Sequence, residues 1–155
     1  MSHRILLTGA NGFIGRHVLT SLVASGAQVH GVVRSQPRNA TRDVKWHQLD
    51  LLDPQARARL IEEVQPDTIV HVAWNVEHGT FWTTPENLDW VGASLDMLRR
   101  AAETGLTRFV GLGTCFEYAP QDTDNCDELT TAIEPFKVYG LALIHLRPRR
   151  RRRSD

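Results

Sequence analysis

Three glycines, Gly9, Gly12 and Gly15, lie at even spacing in "TGANGFIG", between a short apolar run and a helical pattern. A strand, a glycine turn and a helix N-terminus together form an anion site, because the helix dipole and unpaired N–H groups point at the ligand. In this interpretation Gly9 permits the turn, Gly12 lets the backbone approach a diphosphate, and Gly15 lets the helix pack close to the sheet. A tight turn without a ligand is the other interpretation.

The turn lies between the first strand and the first helix of an alternating pattern. Short apolar runs at 4–9, 27–34, 44–50, 67–74 and 108–114 predict five strands. Helical patterns begin near residue 12, at 54 after the N-cap Asp53, at 86 and at 136. This alternation predicts an α/β fold, a doubly wound parallel sheet with helices on both faces. In the helix that begins at 86 we expect Leu88, Val91, Leu95 and Leu98 to face the core.

Composition and charge limit the classes of protein to consider. The 155 residues carry a formal net charge of zero and 41% hydrophobic residues, which suits a globular domain and excludes a wholly disordered chain. No apolar run approaches the ~20 residues of a membrane span, and "MSHRILLTGANG" lacks the pattern of a cleavable signal. We therefore expect a cytoplasmic protein without membrane contact. Cys115 and Cys126 are close enough in sequence to pair, but we expect them to be reduced thiols. Neither has zinc-like partners, so no metal site is predicted.

The basic charge is concentrated in the ending "LRPRRRRRSD". We expect a disordered, solvated tail over 147–155 that follows a domain over 1–146. A tail that binds nucleic acid or anionic lipid is the alternative. Because no aromatic residue is interleaved, such a tail would supply charge without sequence readout, and nucleic acid is not predicted as a partner.

The spacing G-x-x-G-x-x-G and the motif "TGANGFIG" resemble the extended branch of the short-chain dehydrogenase/reductase superfamily, the NAD(P)-dependent nucleotide-sugar epimerases, dehydratases and reductases. The resemblance extends to about His145. It implies a Rossmann-like sheet whose glycine turn holds a nicotinamide dinucleotide. The positions that it assigns to the cofactor are Gly9, Asn11, Gly12, Phe13, Ile14, Gly15, Arg34, Asp50, Leu51, His71 and Ala73.

The end of the second strand selects the cofactor in this family. An acid there bonds the ribose hydroxyls, whereas a base pairs with a 2′-phosphate, so Arg34 favours NADP and leaves NAD open. An exposed arginine without a ligand is the other interpretation. Asp50 and Leu51 match the pair that contacts adenine. The segment "HVAW" matches the strand end beside the nicotinamide ribose, with Trp74 in place of alanine; without a cofactor, His71 would be a core histidine.

The family's reductases combine a tyrosine acid/base, a Ser/Thr that holds the substrate oxygen, and a lysine one helical turn after the tyrosine. The resemblance makes Tyr139 the tyrosine and Thr114 the hydroxyl residue. Leu143 stands where the lysine belongs, so we expect little or no turnover. Cys115 and Phe116 occupy the positions of the dehydratase Asp-Glu pair, which argues against a dehydratase.

The family continues beyond the tyrosine helix with further strands and a smaller domain that binds the nucleotide sugar. Neither follows here, so we expect a sheet that is incomplete at the C-terminus with an exposed apolar edge, no substrate domain, and a truncation or frameshift near position 143. Phe81 and Trp82 either line a pocket or pack on the core. Relatives pair through two helices, and whether the shortened tyrosine helix still supports a homodimer is left open.

Two functions remain open from the sequence. The first is the NAD(P)-binding domain of a nucleotide-sugar epimerase/reductase, with Tyr139 and Thr114 as its reacting side chains. The second is a non-catalytic NADP-binding sensor or interaction module.

Overall fold

The computed structural model describes residues 3–37, 40, 42–120, 126–127 and 129–146. Among them, five strands are β1 (Arg4–Thr8), β2 (Gln28–Val33), β3 (Val44–Gln48), β4 (Thr68–His71) and β5 (Arg108–Gly111). The α-helices are α1 (Gly15–Ala24), α2 (Pro54–Val64), α3 (Glu86–Glu103) and α4 (Val138–Leu143), and short 3-10 helices span Cys115–Glu117 and Ile144–Leu146. The predicted tail over 147–155 lies outside the described residues.

The strands form a parallel sheet in the order β3-β2-β1-β4-β5, as the alternating pattern predicts. β1 lies between β2 and β4, and Leu6 pairs with His30 on one side and Ile69 on the other. The chain order reverses between β1 and β4. In open α/β sheets, ligands bind at such a switch point, beyond the carboxyl ends of the strands.

Helices cover both faces of the sheet. On one face α2 and α3 pack on a core that includes Leu6, Ile61, Ile69 and Met97. On the other face α1 packs on Leu7, Ala10 and Val33, with Val18, Leu19 and Leu22 of the helix half-buried against them. Burial of these side chains, at about 25 cal/mol per Å² of apolar surface, holds the turn between β1 and α1 in a fixed place.

The orientation of α3 differs from the prediction. Leu88 and Leu95 are 58% and 45% exposed, so the prediction that they face the core is wrong, while Val91 and Leu98 are half-buried. The residues that meet the core are Trp90, Ala93, Ser94, Met97 and Ala101. The leucine set and the set centred on Trp90 both recur at helical spacing. The second set faces the sheet because its small residues let the helix approach closely.

The edge of the sheet at β5 is open within the described residues, since β5 pairs with β4 alone. The strand ends at Gly111, three residues before the predicted end at Thr114, and Val110 is 43% exposed. The expectation of an exposed apolar edge is confirmed.

No helix in the described part of the chain has the length and apolarity needed to cross a membrane.

Candidate functional site

The glycine turn joins β1 to α1 by a backbone path that side chains would block. Gly9 has φ +68°, and a Cβ there would lie 2.9 Å from the backbone nitrogen of Ala73. Gly12 N–H donates to the Gly9 carbonyl at 2.9 Å. A Cβ on Gly15 would lie 2.0 Å from that same carbonyl oxygen. The close approach predicted for Gly15 is therefore between the start of α1 and the turn itself.

The N-terminus of α1 has backbone donors that the protein does not use. Its N-cap, Ile14, makes no side-chain cap, and the first turn contains no acidic residue. The N–H groups of Phe13 and Ile14 donate to no residue in the described ranges. Unpaired N–H groups and the positive end of the helix dipole favour an anion at this position.

A cleft of about 960 Å³ lies at the carboxyl ends of the strands, beside this helix terminus. It brings together most of the predicted site residues: Gly9, Asn11, Gly12, Phe13, Ile14, Arg34, Asp50, Leu51, His71, Ala73 and Tyr139. Gly15 lies behind the turn, and Thr114 lines an adjoining cleft of about 550 Å³. The elongated set runs from Arg34 after β2, past the turn, to Tyr139 on α4.

The end of the cleft beyond β2 and β3 is polar. Arg34 is exposed, and its side chain has no hydrogen bond or ion pair within the described ranges. Asp50 is also exposed; one carboxylate oxygen accepts the Leu52 N–H at 2.9 Å, which leaves the other for a ligand. Asn11 donates to the Gln36 carbonyl at 3.1 Å, and this bond fixes the turn relative to the segment after β2.

Leu51 is held in place from behind by a buried arginine. Arg57, 5% exposed, donates to the Leu51 carbonyl and forms a 2.9 Å ion pair with Asp96 of α3. Asp96 also pairs with Arg99 and Arg100, so its charge stays paired when Arg57 is lost, but the buried Leu51 carbonyl then loses its donor. Loss of Asp96 would leave the buried Arg57 charge without its carboxylate partner. The network therefore couples α2, α3 and the segment after β3 at the polar end of the cleft.

His71 is buried at the end of β4, and both of its ring nitrogens are engaged. Ser94 donates its hydroxyl to the Trp90 carbonyl at 2.7 Å, so it accepts from His71 Nε2 at 2.9 Å. The Thr8 hydroxyl then donates to His71 Nδ1 at 2.8 Å. Burial lowers the pKa of His71 to about 4, so the ring is neutral near pH 7. Both ring nitrogens are therefore occupied within the protein, and neither can bond to a ligand. Only the backbone of His71 remains for a ligand contact.

Trp74, where the sequence resemblance implies an alanine, lines the cleft and is hydrogen-bonded to α3. Its indole N–H donates to Asn87 Oδ1 at 2.8 Å, and its ring centroid lies 5.8 Å from that of Trp90. Asn87 is fully buried and donates to the carbonyls of Phe81 and Thr84. The Asn87 side chain therefore fixes both the tryptophan and the loop that precedes α3.

Tyr139, on α4, lines the cleft, and its ring packs against other aromatic rings. Phe81 and Trp82 contact it edge-to-face at centroid distances of 4.9 and 5.8 Å, which favours packing over a pocket-lining role for these two residues. Burial raises the pKa of Tyr139, and the charges of Cys115 and Glu117 raise it further. The pKa shift is opposite in sign to the one that a nearby lysine would cause.

Thr114 caps the short 3-10 helix that follows β5. Its hydroxyl accepts from Phe116 N–H at 3.3 Å, and its own N–H donates to Glu117 Oε1 at 2.8 Å. Leu143, where the sequence resemblance implies a lysine, is buried and lines both clefts. Thr114 and Tyr139 thus approach the site from neighbouring clefts that share Gly113 and Leu143.

Several lining residues were not singled out from the sequence. Asn75 donates to Glu86 Oε2 at 2.6 Å, and the other carboxylate oxygen of Glu86 accepts from the Trp90 indole at 3.2 Å. The acidic Glu77 lines the same part of the cleft. Glu86 could have been noted as an acid in the first turn of a predicted helix, but its partners depend on tertiary contacts.

Comparison with known proteins places these observations in a family. Residues 5–146 match the family described as "NAD dependent epimerase/dehydratase family". UDP-glucose 4-epimerase of Rhizobium meliloti (strain 1021) is 32% identical over 145 residues, which cover 90% of this chain and 43% of that protein. Methionine adenosyltransferase 2 subunit beta of Rattus norvegicus is 34% identical over 149 residues, covering 90% and 40%.

Solved structures share the fold. The UDP-Glc/GlcNAc 4-epimerase from Campylobacter jejuni superposes with a TM-score of 0.80 at 23% identity, over 92% of this chain and 46% of that one. A Thermus thermophilus UDP-glucose 4-epimerase in complex with NAD gives 0.78 at 23% identity, over 92% and 48%. The chain therefore spans less than half the length of these relatives.

Proposed function

Because the chain belongs to the NAD dependent epimerase/dehydratase family, we propose that residues 1–146 form a dinucleotide-binding domain whose large cleft takes a nicotinamide dinucleotide. The observation that carries this proposal is the uncapped N-terminus of α1 behind the glycine turn. Phe13 and Ile14 N–H groups donate to the diphosphate there, and Asp50 and Leu51 meet the adenine. When bound, the dinucleotide accepts or supplies a hydride; the chain's own residues position it.

The proposed preference is for NADP. Arg34 lines the cleft after β2, is exposed, and has no competing carboxylate partner in the described ranges. An arginine fork matches a phosphate monoester in geometry and charge, whereas the ribose hydroxyls of NAD need an acceptor at this position. Arg34→Glu should therefore weaken NADPH binding at least tenfold, whereas NADH binding should stay equal or strengthen, because the carboxylate is an acceptor for the ribose hydroxyls. Arg108→Glu makes the same charge change on β5, away from the cleft, and should leave both affinities alone.

Tyr139 is the proposed proton donor and acceptor toward a nucleotide-sugar hydroxyl or carbonyl, with Thr114 orienting that oxygen. Burial raises the pKa of Tyr139, and no cation is among the causes of its shift. A tyrosinate base is therefore scarce near pH 7, and the proposed activity is an epimerase or reductase step with little or no turnover. Solved relatives described with UDP-glucose, or with NAD and UDP, support uridine diphosphate sugars as the substrate class.

A non-catalytic binding module is the second candidate. Leu143 in the lysine position favours it, because a buried leucine can neither lower the pKa of Tyr139 nor hold a ribose. A similar protein, 34% identical, is named as the beta subunit of methionine adenosyltransferase 2. In this role the folded domain would bind NADP and present a surface to another protein.

Calorimetry with NADPH and NADH, followed by an assay of UDP-sugar turnover on the same preparation, tests the proposal. Binding with little or no turnover supports the dinucleotide-binding domain and favours the module. Turnover at ordinary enzyme rates would refute the role given to Leu143. No heat with either dinucleotide at millimolar concentration, from protein with a cooperative melt, would refute the cleft assignment itself.

A homodimer through α3 is the proposed assembly. Leu88 and Leu95 are exposed on α3, and Leu141 is 45% exposed on α4, which packs beside it. Leu88 and Leu95 are two helical turns apart and so share one face of α3, and an exposed apolar face favours burial against a second copy. Sedimentation should show a dimer that Leu95→Glu weakens; a monomer at tens of micromolar would contradict the proposed assembly.

A further inference from the structure

Two thiols line the smaller cleft, which lies beyond β5 and adjoins the dinucleotide cleft. Cys115 is the first residue of the 3-10 helix after Thr114, and Cys126 lies further along the chain. Both are free and exposed, so a reagent in solution can reach either sulfur. The proposed dinucleotide function uses neither of them.

Hydrogen bonds hold the two cysteine-bearing segments together. Ala119 N–H, four residues after Cys115, donates to the Ala132 carbonyl at 2.9 Å. On the Cys126 side, Asp127 N–H donates to Thr131 Oγ1 at 2.8 Å, and Thr131 N–H returns a bond to the Asp127 carbonyl at 3.0 Å. The turn after Cys126 is therefore folded against the segment that begins at Cys115, and both cysteines line one cavity of about 550 Å³.

We propose that Cys115 and Cys126 form an oxidisable dithiol site, which a small-molecule disulfide such as oxidised glutathione converts to an intramolecular disulfide. The first thiolate attacks one sulfur of the reagent, whose other half leaves as a thiolate. The second cysteine then attacks the protein sulfur of the mixed disulfide and releases the second reduced thiol. Two cysteines are oxidised, one disulfide is reduced, and the two protons from the cysteines pass through solvent to the released thiolates.

Oxidation of the two cysteines should change the properties of Tyr139, which lines the neighbouring dinucleotide cleft. The segment that begins at Cys115 lies against α4, because a Cβ added to Gly140, next to Tyr139, would overlap the Phe116 carbonyl. After burial, the negative charge of Cys115 is the main cause that raises the pKa of Tyr139. A disulfide cannot carry that charge. Oxidation should therefore lower the pKa of Tyr139, a change that spectrophotometric titration detects in a Tyr118→Phe background, where Tyr139 is the remaining tyrosine.

Mass spectrometry of the full chain treated with oxidised glutathione at low protein concentration tests the proposal. Both cysteines lie in one tryptic peptide, so cleavage after Glu117 by a glutamyl endopeptidase is used to separate them. We expect the wild type to lose two hydrogens, to carry no glutathione, and to give two linked peptides. Cys115→Ser and Cys126→Ser should each stop at one glutathione adduct.

Two results would overturn the proposal: a wild-type chain that accumulates two glutathione adducts, or disulfide-linked dimers without the internal link. Thermal melts of both serine variants show whether they are folded. We expect them to be, because each replaced thiol is exposed. The result does not depend on whether a dinucleotide binds, so its failure and that of the proposed function are separate.

Discussion

Replacement of Gly15 by alanine should destabilise the domain through a clash within the glycine turn. The new Cβ would lie 2.0 Å from the Gly9 carbonyl oxygen and 2.9 Å from its carbon, so the turn must shift by more than an ångström. Gly9 has little room to move, because the Ala73 backbone lies so close that a Cβ added to Gly9 would be 2.9 Å from the Ala73 nitrogen. Backbone contacts on both sides therefore resist relaxation.

The expected magnitude follows from two opposing effects. Overpacking of a fixed site costs about 1–3 kcal/mol, and the better helix propensity of alanine at Gly15 returns up to ~1 kcal/mol. We expect a net loss of about 2 kcal/mol in the free energy of unfolding, which for a chain of this size lowers Tm by roughly 4–8 °C. Dinucleotide affinity should fall with it, because the N-terminus of α1 moves.

Urea unfolding and calorimetric melts measure this change, with Gly92→Ala as the matched control. Gly92 lies inside α3, and a Cβ there would meet no atom within 4 Å. The control should gain up to about 1 kcal/mol from reduced backbone freedom in the unfolded chain. If Gly15→Ala melts at or above the wild-type temperature, the close approach of α1 to the turn is refuted.

Three further predictions concern charge. Burial lowers the pKa of His71 to about 4, and burial with the neighbouring imidazole does the same for His30. Both folded pKa values lie below the unfolded value of 6.5, so the stability that each histidine contributes is present above pH 6.5 and is lost as the pH falls toward 4. The expected loss is about 3 kcal/mol for His71 and less for His30. Urea titrations that show no such fall would contradict this prediction. Leu143→Lys should lower the pKa of Tyr139 in a spectrophotometric titration, whereas Leu143→Met should not. Arg57→Met should cost about 1–3 kcal/mol in urea unfolding, because the buried Leu51 carbonyl loses its donor, and a loss below about 0.5 kcal/mol would refute the buried network.

A surface arginine, Arg99, provides the control for the Arg57→Met prediction. Arg99 also pairs with Asp96, at 3.3 Å, but its side chain is 63% exposed. Arg99→Met should change the free energy of unfolding by no more than about 0.5 kcal/mol. The difference between Arg57 and Arg99 measures what the buried contacts of Arg57, including its bond to the Leu51 carbonyl, contribute beyond a surface ion pair.

The sequence was sufficient for the features that local chemistry determines. The N-cap Asp53 before Pro54 predicted the start of α2, and its carboxylate accepts from the N–H groups of Gln55 and Ala56. The alternation of strands and helices predicted the parallel sheet, because a crossover helix leaves few other topologies. The glycine spacing predicted a tight turn between β1 and α1. At Gly15 a close approach of the helix to the sheet was predicted, and the close contact in the structure is instead with the Gly9 carbonyl of the turn.

Features that depend on tertiary contacts were not predictable in this way. The leucines of α3 and the set centred on Trp90 have the same helical spacing, and only packing against the sheet selects between them. The partners of His71 come from β1 and α3, far away in sequence, so its neutral state could not be inferred from "HVAW". Thr114 follows a strand that ends early, and its role as a helix cap depends on Glu117.

Amide chemical shifts measured by NMR during a titration with NADPH test the central claim most directly. If the N-terminus of α1 binds the diphosphate, the largest shifts fall on the N–H groups of Phe13, Ile14 and Gly15, and ADP alone reproduces them. Smaller shifts are expected for Asp50 and Leu51. Shifts that leave residues 11–15 unchanged at saturation would show that the dinucleotide binds elsewhere and would contradict the account.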